Sequence, residues 1–109
     1  MTKNQSTTNH YLNQRYKREK FINECIGGDG NIIDKFVVDK GHSNGMELHC
    51  VTDNGIILIY NLQSEKLITK IVARPQQIKR LYRNAGKENK IPSWLMELAE
   101  WHKELGYNK

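Results

Sequence analysis

Two histidines, His42 and His49, stand seven residues apart in the stretch DKGHSNGMELHCVTDNGIILIYN, residues 39–61, with Glu47 between them. A strand needs none of the three to fold. Two histidines can cleave a phosphodiester: one takes the proton of a ribose 2′-OH, and the other protonates the leaving 5′-oxygen. A cation such as Arg74 or Lys70 would stabilise the charge gathering on phosphorus. RNA supplies its own nucleophile, so neither a metal nor a cofactor is expected. The same residues have plainer uses. His42 sits in the Gly-flanked GHSNG loop, where it can bond a turn, and His49 can be a half-buried strand histidine bonded to Tyr60 or Glu47. A zinc site built from His42, Glu47 and His49 lacks a fourth ligand, because Cys50 faces the other way on the strand. Cys25 and Cys50 fit no metal spacing and are expected as thiols.

A second chemistry lies downstream. Between residues 66 and 90, Lys66, Lys70, Arg74, Lys79, Arg80, Arg83, Lys87 and Lys90 face a single acid, Glu88. Lys79 and Arg83 are four apart, on one face of any helix that starts at Pro75, and Tyr82 beside them offers a ring for a base. Such clusters bind phosphates and release counterions, although a charged run can equally be a solvated helix face.

The elements that carry these residues follow from pattern. The segment HYLNQRYKREKFINECI, residues 10–26, reads as a helix ended by GGDG. NIIDKFVV, MELHCVT, IILIYN and KLITKIVA are rich in β-branched residues and bounded by turn residues, so they read as four strands. PQQIKRLYRNAG reads as a helix opened by Pro75 and stopped at Gly86. PSWLMELAEWHKELGYN reads as another, capped by Ser93 and ended by Gly106. Its Trp94, Leu98, Trp101 and Leu105 step onto one face, which is expected to pack on the sheet ahead of the alternative of presenting aromatic anchors to a partner.

Asn54-Gly55 reads as a two-residue type I′ turn. That register sets His49 against Tyr60 and Val51 against Leu58. Glu47, His49, Val51, Leu58 and Tyr60 would then share a mixed face opposite a core face of Met46, Leu48, Cys50, Ile57 and Ile59. The next turn is ambiguous. A five-residue loop brings Lys70 and Arg74 beside His49 and Tyr60, and a four-residue loop brings Thr69 there instead. One residue of slip turns the whole strand over.

The chain has 109 residues and a formal charge of +5. It reads as a tail over 1–9 and one α+β domain over 10–109, with a four-stranded antiparallel sheet flanked by an N-terminal helix and two C-terminal helices. The positive charge favours an acidic partner. No apolar run is long enough for a membrane span, and the polar first twenty residues do not read as a signal peptide, so a cytoplasmic setting in the host cell is expected.

The block GHSNGMELHCVTDNGIILIYNLQSEKLITKIVARPQQIKRLY, with the trailing LAEWHKELGYN, resembles small uncharacterised proteins of Gram-positive phages and prophages. More loosely, the order of a helix followed by four strands is similar to the barnase–EndoU–colicin–RelE group of small ribonucleases. That likeness implies catalytic residues on the sheet, and His49, Tyr60, Thr69 and Arg74 occupy comparable strand positions; His42, in its loop, joins the expected catalytic set as the second histidine. Lys70, Lys79, Arg80 and Arg83 would bind the nucleic acid, with RNA ahead of DNA. The rival expectation is a non-catalytic phage accessory protein that binds a host-defence nucleoprotein, as an anti-CRISPR inhibitor does. Neither expectation specifies an oligomeric state.

Overall fold

The computed structural model of the protein describes residues 16–41 and 45–105. The tail over 1–9, His42 and Gly106 lie outside the described residues. Residues 16–26 form helix α1, whose last turn, Ile22–Ile26, is π-helical. Gly27, at φ 93°, ends it, and the amides of Gly27 and Gly28 both donate to the Ile22 carbonyl at 2.9 Å. A left-handed residue here satisfies carbonyls that the helix leaves unpaired.

The strands are β1 (Ile32–Asp39), β2 (Met46–Thr52), β3 (Ile56–Asn61) and β4 (Leu67–Val72). They form one antiparallel meander in the order β1-β2-β3-β4. Helix α2 spans Pro75–Asn84, a 3₁₀ turn covers Glu88–Lys90, and helix α3 spans Ser93–Glu104. The architecture is therefore the expected α+β arrangement, with one helix before the sheet and two after it. Pro75 begins α2 because its missing N–H costs nothing there. The backbone N–H of Arg74 donates to Gln77 Oε1 at 2.8 Å. Pro92, rather than Ser93, holds the cap position of α3, and no side chain caps that end.

Both sheet faces are covered. On one, α2 and α3 close over Phe36, Val51, Ile57 and Ile59 with Ile78, Leu81, Tyr82, Leu95 and Ala99. On the other, Ile22 of α1 packs with Cys50, Ile56, Leu58 and Val72. A row of cross-strand neighbours on the α1 side, Val37–Leu48–Tyr60–Leu67, lies nearer the far end of the sheet. Val37 is 55% exposed there and Leu67 40%. Met46, Leu62 and Ile68 are also exposed.

The β2–β3 register differs by one residue from the expected one. Thr52 accepts the Gly55 amide at 3.0 Å, and Gly55 takes φ 76° while Asp53 and Asn54 do not adopt positive φ. The loop therefore has three residues, a type I turn followed by a left-handed glycine. A type I′ turn would have required positive φ at Asn54. His49 consequently lies opposite Ile59, and Leu48 opposite Tyr60.

The aromatic stripe of α3 is corrected as well. Leu95, Ala99 and His102 face the core, while Trp94 and Trp101 stay 46% and 44% exposed. Small residues decide this. Gly55 lets α3 approach so closely that an added Cβ would sit 2.7 Å from His102 Cε1. That closeness turns the line through Ala99 inward and leaves the tryptophans on the flank.

Candidate functional site

His49 is held in β2 between Phe36 on β1 and Ile59 on β3. It therefore points into the layer under α2 and α3, and only about 10% of its side chain reaches the surface. Its Nε2 lies 3.0 Å from Glu47 Oε1, and Lys40 Nζ lies 3.8 Å from the same oxygen. Glu47 is buried too, so the carboxylate, the imidazole and the Lys40 ammonium satisfy one another at the margin of the core. Buried polar groups are kept when they are paired in this way. The anticipated Glu47 partnership is present, whereas Tyr60 is not available to His49.

The other sheet residues do not converge on His49. Tyr60 pairs with Leu48 and Leu67 and packs with the α1-side cluster, on the opposite face of the sheet. Thr69 shares the cross-strand row of His49, but Ile59 stands between them. At about 4.8 Å per strand the two are about 10 Å apart. The Thr69 hydroxyl accepts a hydrogen bond from Arg18 Nη1 at 2.9 Å. Lys70 pairs with Leu58 on the α1 side, and its ammonium donates to Asp29 Oδ2 at 3.1 Å. Arg74 lies beyond the strands, at the start of α2. The four-residue reading of the β3–β4 loop thus gives the correct face for Thr69, without placing it in reach of His49.

Among the described residues no group of three or more His, Cys, Asp or Glu side chains can hold a metal ion. Both cysteines are free. Burial pushes the Cys50 thiol above its ordinary range, against a smaller opposing effect of Lys35, so this sulfur stays protonated and unreactive.

The arrangement with a clear outward chemistry is on α2. Ile78, Leu81 and Tyr82 anchor the helix, and the 3.6-residue period then turns Gln76, Lys79, Arg80 and Arg83 outward. Gln76, Lys79, Arg80 and Arg83 line a hollow of about 350 Å³. A second hollow of about 470 Å³ continues past Arg74 to Glu100 and Lys103 of α3. The two share Gln76, Lys79 and Arg80, so they form one cationic shelf. Arg83 spends part of its charge on Glu88, at 3.3 Å. Lys103 and Gln76 were not singled out from sequence. Gln76 shows itself only as the polar residue one turn before Lys79, and Lys103 joins only through the docking of α3 beside α2.

Tyr82 does not offer a ring to a base. It is 1% exposed, packs edge-on against Phe36 with centroids 4.7 Å apart, and donates from its hydroxyl to Asp34 Oδ2 at 2.5 Å. Burial and then the Asp34 bond push its phenol well above the ordinary tyrosine value, so it stays neutral. It locks α2 to β1 and thereby fixes the angle at which the shelf faces solvent.

Among the described residues no helix is long and apolar enough to cross a membrane. Comparison with protein-family models, curated proteins and solved structures finds no match to this chain.

Proposed function

We propose that this protein binds the phosphate backbone of a nucleic acid, RNA ahead of DNA, through the cationic shelf of α2 and α3, and does so without cleaving it. The observation that carries this reading is the outward alignment of Lys79, Arg80 and Arg83 with Arg74 and Lys103 along two joined hollows. Phosphates are the ligands such a row fits, since each contact releases condensed counterions. A host nucleoprotein that exposes its RNA or DNA backbone offers the same ligand.

The binding reading is preferred to ribonuclease chemistry because His49 is buried against Glu47 and is separated from Tyr60, Thr69 and Arg74 as described above. A general base must reach the proton it removes. The test is binding of a labelled single-stranded RNA across a salt series. Affinity should fall with salt at a logarithmic slope of roughly −0.7 for each phosphate contacted. Lys79→Glu/Arg80→Glu/Arg83→Glu should abolish most of the binding, with the melting temperature kept. The RNA should survive intact in a chelator-containing buffer. Salt-insensitive binding, or an unaffected triple variant, overturns the reading. RNA cut by the parent but not by His49→Ala restores the catalytic one.

A further inference from the structure

The two outer strands of the sheet are finished differently. The edge of β4 is covered by α1: Arg18 Nη1 donates to the Lys70 carbonyl at 2.9 Å as well as to Thr69. At the other edge, among the described residues, no strand pairs with the outer side of β1. An unpaired edge is a row of backbone donors and acceptors at strand spacing, which only another extended chain can satisfy in full.

The sequence of that edge is its own complement. A bulge near Ile32 leaves Asp34–Asp39 as the regular part, followed by Lys40. Its order is Asp34-Lys35-Phe36-Val37-Val38-Asp39-Lys40. Turned antiparallel about Val37, it sets Val37 on the partner's Val37, Lys35 on the partner's Asp39, and Asp34 on the partner's Lys40. Phe36 then meets the partner's Val38. The exposed Lys35 and Asp39 find their opposites twice over by symmetry, and opposed charges on neighbouring strands attract while like charges repel, whereas Asp34 and Lys40 already hold Tyr82 and Glu47 within the protomer. The residue at the centre is the most exposed large apolar side chain of the strand, Val37 at 55%. Lys35 is exposed, and Asp39 uses one oxygen, Oδ1, to accept the Gly41 amide at 2.8 Å. Beside this edge, a hollow of about 330 Å³ between β1 and the end of α2, lined in part by Leu81, Asn84, Ala85 and Lys87, leaves room for side chains of an added strand.

We propose that β1 is the seam of a homodimer, in which two copies join β1 to β1 antiparallel about a two-fold axis at Val37 and make one continuous eight-stranded sheet. Closed two-fold pairing is the commonest way for a chain to satisfy such a surface. The axis is normal to the sheet, so both α2 helices fall on the same side. The proposal stands independently of what those helices bind.

The parent protein, examined by size-exclusion chromatography with light scattering and by sedimentation across a wide concentration range, should self-associate to a dimer. Lys35→Asp creates two like-charge pairs and should weaken association by roughly tenfold or more. Asp39→Lys added to Lys35→Asp reverses each pair and should restore it. Circular dichroism checks that each variant is folded. In a Cys25→Ser background, Val37→Cys should form a disulfide-linked dimer under mild oxidation, and the exposed loop variant Lys66→Cys should not. A parent that stays monomeric at all concentrations overturns the proposal and leaves the edge to a strand of another protein. A dimer indifferent to both Lys35→Asp and Val37→Lys overturns it as well, since the interface then lies elsewhere.

Discussion

The two ends of the sheet are built on different plans. At the β2–β3 turn, nearly every polar group is used. Asn31 N–H donates to Asp53 Oδ1 at 2.7 Å, and Asn54 Nδ2 donates to the Gly28 carbonyl at 3.0 Å. Thr52 Oγ1 accepts the Ile56 amide at 3.1 Å, and Ala73 N–H donates to the Gly55 carbonyl at 2.9 Å. His102 closes the end from above. The opposite end has a short loop between β3 and β4 and the exposed apolar residues Met46, Leu62, Leu67 and Ile68. One end ties the N-terminal helix, the hairpin and the C-terminal helices together, and the other leaves Met46, Leu62, Leu67 and Ile68 to water beside the buried Glu47–His49 pair. Rigidity and exposure have been separated along the strand axis, so substitutions of the same chemical kind should have unequal effects at the two ends.

The sharpest way to break that contrast is Gly55→Val. It combines a left-handed backbone with a Cβ 2.7 Å from His102 Cε1 and 3.2 Å from Leu98 Cδ2. It should cost about 3 kcal/mol or more in urea unfolding, and an unchanged midpoint would remove the close approach of α3. Asp53→Ala comes next, at about 1 kcal/mol by the same measurement, because it strips the Asn31 amide of its acceptor. His102 tests the contrast through pH. It is fully buried, and neither ring nitrogen has a hydrogen-bond partner of good geometry. Burial lowers its pKa below the ordinary 6.5, with partial relief from the Ala73 backbone. As pH falls through 6.5 the unfolded chain gains a proton that the folded chain refuses, so stability drops on the acid side and is level above neutrality. In His102→Leu the loss of melting temperature between pH 8 and pH 5 should be smaller than in the parent.

At the open end the expected effects are small. Glu65 has φ 61°, the one described residue other than glycine on that side of backbone space. Glu65→Gly should raise stability by about 0.5 kcal/mol, read as a shift in thermal midpoint. Leu67→Thr should leave stability within about 0.5 kcal/mol while reducing aggregation on concentration. A large loss from Leu67→Thr would mean that this end is as tightly built as the other.

Much of this plan can be read from residue types. β2 and β3 coincide with MELHCVT and IILIYN because runs of β-branched and apolar residues bounded by Asn, Asp and Gly leave the backbone few other choices. α2 begins at Pro75 for an equally local reason. What escaped was decided between elements. Asn54-Gly55 suits a two-residue and a three-residue loop alike, and only the φ of Asn54 separates them. That one residue of register moved Tyr60 to the sheet face opposite His49. The stripe of Trp94 and Trp101 was a true helical stripe, but its neighbour through Ala99 fits the narrow space over Gly55. The basic residues of α2 face outward as their spacing implied, whereas the contribution of Lys103 depended on how two helices dock. Tyr82 looked like a free ring because nothing in its own segment names Asp34 as its partner.

The strand order carries one further consequence, in the time domain. Each strand pairs with the one that precedes or follows it, so every ladder closes across a short loop. Closing short loops costs little chain entropy, and chains whose contacts are near in sequence cross their folding barrier sooner than chains that must bring distant strands together. The tied end adds distant demands, because the Gly28 segment that follows α1 and helix α3 must both arrive at the Thr52–Gly55 turn from either side of it in sequence. The hairpin of β2 and β3 is therefore the natural early structure, and the docking of α3 through His102 is the natural late step. Slowing that step should lengthen the time to the native state without changing how quickly the sheet appears.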